Sequence, residues 1–174
     1  MRDFKSVIRT IPDFPKAGIQ YRDITPVLHD IDVLADAVRA MADPYRGERP
    51  DYVAGLDARG FIFGTAIALE LGCGFIPIRK AGKLPFETET VSYKLEYGEA
   101  SLQIHKDACA AGQRVLLVDD LIATGGTARA GVDLLRRLDA DVIGASFLIN
   151  LSYLEGAQSL RELGVGVTAL VEYD

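Results

Sequence analysis

The chain holds only two histidines, His29 and His105, and two cysteines, Cys73 and Cys109. The shortage of imidazoles excludes a histidine-built metal cluster or triad. The cysteines lack metal-ligand spacing and read as reduced thiols rather than as a disulfide. Basic charge is also short. Lys and Arg number 19 against 25 acids, a net charge of −6, which argues against a surface made for nucleic acid or an anionic membrane. No apolar run approaches the roughly 18 residues of a membrane helix. Met1 to Lys5 has no signal-peptide core, so the expectation is a soluble, cytoplasmic protein. There is no Gly-Lys-Ser/Thr loop and no Gly-x-Gly-x-x-Gly opening a helix, and no internal repeat or low-complexity tract. What remains is 174 residues at 49% hydrophobic content, the size of one domain, 1–174, with a sizeable core.

The most informative stretch is Val115-Leu116-Leu117-Val118-Asp119-Asp120-Leu121-Ile122-Ala123-Thr124-Gly125-Gly126-Thr127. Four consecutive apolar residues predict a strand buried on both faces, and the two acids at its end need a polar partner. The Gly pair then turns the chain into a helix over 128–138, with Val132, Leu134, Leu135 and Leu138 on one stripe. Backbone N–H groups at such a turn, with the positive end of the helix, suit a phosphate. Asp119 and Asp120 beside it would accept hydrogen bonds from sugar hydroxyls or help order a metal. The ligand implied is a phosphorylated ribose. The alternative is an ordinary strand-to-helix turn with an acidic edge.

A second turn of the same shape follows the apolar run 51–57, where Ala58-Arg59-Gly60 opens a helix over 61–71. It suggests another anion, although Arg59 could simply pair with an acid such as Asp57. A strand over 73–78 releases Arg79-Lys80-Ala81-Gly82-Lys83, three cations in five residues on an acidic chain. They are either a solvated loop or a site for a charged leaving group. Residues 84–97 show no apolar stripe and read as a mobile lid. Amphipathic spacing predicts helices over 3–10, 31–41 and 153–163, and strands fall at 101–105, 142–149 and 165–171. Residues 11–18, with two prolines and a glycine, and 20–26 read as irregular, with Tyr21 a surface residue anchored by its ring. Alternating strands and helices imply an α/β fold, a parallel sheet flanked by helices with ligands at the strands' carboxyl ends.

The thirteen-residue motif resembles the 5-phosphoribosyl-1-pyrophosphate (PRPP) binding motif of the type I phosphoribosyltransferases, and residues 11–151 are similar to their adenine-specific branch. The resemblance implies the type I phosphoribosyltransferase fold, with a small N-terminal hood at about residues 1–30 and the lid at about 82–98. It implies transfer of 5-phosphoribosyl from PRPP to adenine, giving AMP and pyrophosphate, by a cytoplasmic homodimer. Mg²⁺ would be carried by PRPP rather than ligated directly by protein. Asp119, Asp120, Ala123, Thr124, Gly125, Gly126 and Thr127 would hold ribose and 5′-phosphate. Ala58 and Arg59 would hold pyrophosphate with Arg79, Lys80 and Lys83, some contacts crossing the dimer, and a cis peptide is expected at Asp57-Ala58. Tyr21 would stack on adenine, with Gln20 and Arg22 nearby and Leu151 as an apolar wall. The 6-oxopurine relatives carry an Asp at the position of Ala123, and the resemblance implies that Glu96, in Tyr93-Lys94-Leu95-Glu96-Tyr97-Gly98, handles the base's proton instead; read from the residues alone, Glu96 is an ordinary exposed strand-end Glu. A transferase for another base, or a regulator that binds PRPP without turnover, are the rivals. The acidic balance and lack of a DNA-binding extension weigh against the regulator.

Overall fold

Apolar residues come in unbroken runs at 53–56, 115–118 and 147–149, and each run becomes part of a strand covered on both faces. The computed structural model describes residues 2–95 and 98–174, with 94, 95, 98 and 99 described by their backbone alone. In chain order it contains β1 (Arg9–Pro12), β2 (Gln20–Asp23), α1 (Thr25–His29), α2 (Ile31–Ala42), β3 (Tyr52–Leu56), α3 (Gly60–Leu71) and β4 (Gly74–Lys80). A hairpin of β5 (Thr88–Leu95) and β6 (Gly98–His105) follows, then β7 (Arg114–Ile122), α4 (Gly126–Arg137), β8 (Asp141–Leu151), α5 (Gly156–Arg161) and β9 (Val167–Tyr173).

Seven strands form one sheet in the order β5-β6-β4-β3-β7-β8-β9, and β1 pairs with β2 in a separate ribbon. The run β4-β3-β7-β8-β9 is parallel, while β6 joins β4 antiparallel through Arg79↔Gln103 and Lys80↔Leu102. Alternation along β7 feeds two cores. Leu116 and Val118 pack with Met41, Phe63 and Ile67 of α2 and α3, and Val115 and Leu117 with Leu134, Leu135 and Leu160 of α4 and α5. The chain leaves β3 toward β4 on one side and later inserts β7 on the other, so the sheet's direction of winding reverses between β3 and β7. The crevice at such a reversal, beyond the strands' carboxyl ends, is where open α/β sheets bind ligands.

Four segments differ from the sequence expectation. Residues 20–26, expected to be irregular, form strand β2 and begin α1, because 20–23 find a partner in 9–12 and the Asp23 carboxylate accepts from the Thr25 N–H where the helix starts. Residues 3–10 form no helix. Asp3 accepts hydrogen bonds from the N–H groups of Lys5 and Ser6 and caps a single 3-10 turn, after which Arg9–Pro12 pairs with Gln20–Asp23, a partner that helical spacing does not reveal. Residues 88–95, expected to lack firm packing, are strand β5. Its Val91 is buried and Tyr93 half-buried, because the hairpin lies against α4. The expected helix over 153–163 is broken. Glu155 takes a left-handed φ of 57°, and the Gly156 N–H donates to Ala123 O at 3.1 Å. A side chain at Gly156 would collide with that carbonyl.

Candidate active site

Two strand ends flank the reversal point. β7 continues through both acids of the central motif, and the chain then turns at Ala123–Gly125 into α4. Gly125 makes that turn with φ 83°, a conformation costly for residues bearing a Cβ. A Cβ there would also lie 2.7 Å from Ser159 Oγ and 3.0 Å from Gly156 Cα. The phosphate turn is therefore locked against the start of α5. The turn after β3 contains a cis peptide at Asp57-Ala58, as expected, and leads through Arg59 into α3.

Between these turns lies a cavity of about 780 Å³. Residues 57–59, Lys80 and Ala81, Tyr93, residues 100–102 and the whole of 119–128 line it. Of the sequence-predicted residues, Ala58, Arg59, Lys80, Asp119, Asp120, Ala123, Thr124, Gly125, Gly126 and Thr127 are thus brought together.

The two acids sit in different surroundings. Asp120 is buried, and its Oδ2 accepts from Arg59 Nε at 2.5 Å. The partner of Arg59 is therefore Asp120 and not Asp57. Among the described residues Asp119 forms no ion pair, and its Oδ1 accepts from the Asp120 N–H at 2.8 Å. Burial, reinforced by the neighbouring charge of Asp120, holds the Asp119 carboxyl well above the usual carboxylate range. For Arg59, burial works against the charge. Asp120, with Tyr21 and Asp119 behind it, outweighs that and raises the guanidinium above its ordinary value.

Asp57 organises the cationic edge. Its Oδ2 accepts from Arg79 Nε and from the Lys80 N–H, both at 3.4 Å, and Arg79 Nη1 reaches Lys83 O at 3.3 Å. Gln103 of β6 holds the adjoining turn, its Oε1 accepting from the Gly82 N–H at 2.8 Å. Arg79 and Lys83 thus flank the cavity without lining it.

The residues expected around a base lie apart from the cavity wall. Gln20, Tyr21 and Arg22 are on β2, and Leu151 ends β8. Tyr21 makes an edge-to-face contact with Phe14 at 5.2 Å, and Arg22 stacks 3.7 Å over the Tyr173 ring while donating to Thr10 Oγ1. Tyr21 remains close enough for its hydroxyl to act electrostatically on Arg59. Glu96 lies outside the described residues. Sequence reasoning missed Tyr93 as a wall of the cavity. The period-2 pattern Val91, Tyr93, Leu95 against Thr90, Ser92, Lys94 was the available signal.

Residues 27–159 match the phosphoribosyl transferase domain family. Adenine phosphoribosyltransferase of Maricaulis maris is 52% identical over 172 residues, covering 99% of this chain and 98% of that protein. The crystal structure of adenine phosphoribosyltransferase from Thermoanaerobacter pseudethanolicus superposes with a TM-score of 0.92 at 47% identity, covering 97% of both chains. That of the Saccharomyces cerevisiae enzyme, complexed with D-2,5-dideoxy-2,5-imino-altritol 1,6-bisphosphate and adenine, gives 0.88 at 38% identity over 96% of each. With likeness running the length of the chain and through both turns of the cavity, the protein belongs to the adenine phosphoribosyltransferases, within the phosphoribosyltransferase family.

Proposed function

We propose that this protein transfers the 5-phosphoribosyl group of PRPP to adenine, releasing AMP and pyrophosphate, as in purine salvage. The observation that carries the reading is the convergence, on one cavity, of a glycine phosphate turn, an acid pair and the Arg59 turn. The turn 123–127 would take the 5′-phosphate and Asp119 and Asp120 the ribose hydroxyls, next to it on the same strand end. Ala58, Arg59, Arg79, Lys80 and Lys83 would face the pyrophosphate. Cations aimed at charge that develops as the C1′–O bond breaks lower the barrier more than they tighten ground-state binding. Tyr21, Gln20, Arg22 and Leu151 would bound the adenine, and Glu96 would handle the proton of the attacking base.

Mg²⁺ enters as part of the substrate. Asp120 is already engaged by Arg59, and among the described residues no group of three acid, His or Cys side chains converges. Such a site suits an ion that arrives on a diphosphate and keeps several waters. There it would neutralise the leaving group. A homodimer is proposed on the apolar character of α3, whose outward Ile62 and Leu69 are exposed while its opposite face fills the core. Light scattering is expected to give twice the chain's 18.9 kDa, and a monomer would remove the dimer from the proposal. A cytoplasmic location is part of the same proposal.

The decisive experiment offers Mg-PRPP with a panel of purines and pyrimidines and follows pyrophosphate release. Turnover with adenine is expected. Turnover with xanthine in place of adenine would overturn the substrate, and no turnover with any base would favour a PRPP-binding regulator.

A further inference from the structure

The outer half of the β5–β6 hairpin has few ties to the rest of the sheet. Among the described residues β6 pairs with β4 at Arg79↔Gln103 and Lys80↔Leu102, and the Ala81 N–H reaches Ser101 O at 3.0 Å. Beyond Ser101 the register Ser92↔Ser101 to Leu95↔Gly98 pairs the hairpin only with itself. Among the described residues one side-chain hydrogen bond joins this outer half to the phosphate turn. The Tyr93 hydroxyl lies 3.1 Å from Thr127 Oγ1, and either atom could be the donor. Both residues line the cavity. Thr127 is the second residue of α4, where unpaired N–H groups and the helix dipole favour an anion.

We infer that Tyr93 is a positioning residue: its hydrogen bond to Thr127 couples occupation of the phosphate turn to the placement of the hairpin. The inference rests on the reading of residues 123–127 as the 5′-phosphate site. In the free protein the hydroxyl pair has two donor directions. A phosphate ester oxygen carries almost no protons at neutral pH and can only accept. Once Thr127 Oγ1 donates to it, the threonine oxygen is left as an acceptor, and Tyr93 must donate. The chain Tyr93 O–H to Thr127 O–H to phosphate then runs in one direction and ends on an anion. Both bonds gain from that, because chained and charge-assisted hydrogen bonds reinforce one another. The coupling is reciprocal. Phosphate binding holds the hairpin, and the held hairpin tightens phosphate binding by the same factor.

The test uses ribose 5-phosphate as the probe, with wild type, Tyr93→Phe and Thr127→Val. Tyr93→Phe keeps the ring in its half-buried place and removes only the hydroxyl, and thermal unfolding checks that its fold is unchanged. Calorimetry should show binding weakened about fivefold in Tyr93→Phe, the loss expected for one hydrogen bond, and at least as much in Thr127→Val. Backbone hydrogen exchange over 90–95 and 98–101, measured at saturating ribose 5-phosphate, should slow at least fivefold in wild type and less than twofold in Tyr93→Phe. A tyrosine that merely packs the hairpin would leave that ligand-dependent protection intact. Equal protection and equal affinity in wild type and Tyr93→Phe, with Thr127→Val still weakened, would overturn the coupling and leave the phosphate site standing. Ribose 5-phosphate that binds wild type but is indifferent to Thr127→Val would overturn both, as would no binding at all.

Discussion

Asp119 and Asp120 are adjacent, yet the fold treats them unequally. Asp120 is buried against Arg59, whereas Asp119 accepts from the Asp120 backbone N–H and has a carboxyl pushed upward by burial and by its neighbour's charge. The folded state therefore favours protonated Asp119. Its contribution to stability is fully present below the unfolded value of about 3.9 and is lost as pH rises through the higher folded value. Asp119→Asn should flatten this dependence. Urea unfolding at pH 5 and pH 8 is expected to show wild type losing stability between the two and the variant losing less. The variant should be no less stable than wild type at pH 8. The same substitution should raise KM for PRPP about fivefold, because it removes one acceptor oxygen facing the ribose and a hydrogen bond is worth about 1 kcal/mol. Asp120→Asn should instead destabilise the free protein, since it leaves the Arg59 guanidinium without its counter-charge. Identical pH profiles for the Asp119 variant and wild type would show that Asp119 is not held against its charge.

At the scale of elements, the phosphate turn and the start of α5 interlock, and Gly125 is the point of contact. Gly125→Ala must place a Cβ at φ 83° and move Gly156, which is backbone and cannot swing aside as Ser159 can. A loss of about 1–3 kcal/mol is expected in urea unfolding, together with weaker use of PRPP. Gly47→Ala is the control. Its Cβ would meet open space and its φ is ordinary, so it should be near neutral. This interlock explains what the sequence could and could not reveal. β7 and its turn were legible because four apolar residues, two acids and a glycine pair impose local demands that few structures satisfy. α2 was legible from periodicity and α3 from the turn at 58–60 that opens it, and their observed bounds lie within a residue of expectation. The break of the 153–163 helix was hidden, since its cause is a carbonyl at Ala123, more than thirty residues away. The strand at 9–12 was hidden for the same reason, its partner being set by register with 20–23. β5 was legible in its alternation but was overshadowed by its polar composition.

For the molecule as a whole, the cavity is assembled from the ends of β3, β4 and β7 together with the β5–β6 hairpin, elements that belong to both cores. A ligand bound there touches structure that must all unfold together, so binding should register as global stability. At a PRPP concentration 100 times Kd the gain is about 2.7 kcal/mol, a rise in Tm of roughly 5–10 °C for a domain of this size. Metal dependence separates two origins of that rise. If Mg²⁺ travels with PRPP, chelation with EDTA should leave the Tm of the free protein unchanged and abolish the PRPP-dependent rise, because the bare polyanion would meet the carboxylates of Asp119 and Asp120 without its counter-ion. Restoring excess Mg²⁺ should restore the rise. If the protein instead held an ion of its own, removing it would leave two carboxylates of one cavity wall mutually repelling, and the free protein's Tm would fall on chelation. Differential scanning fluorimetry of the four combinations, with and without PRPP and with and without EDTA, decides between them. A drop in the ligand-free Tm with EDTA would place the metal on the protein and end the assignment of magnesium to the substrate.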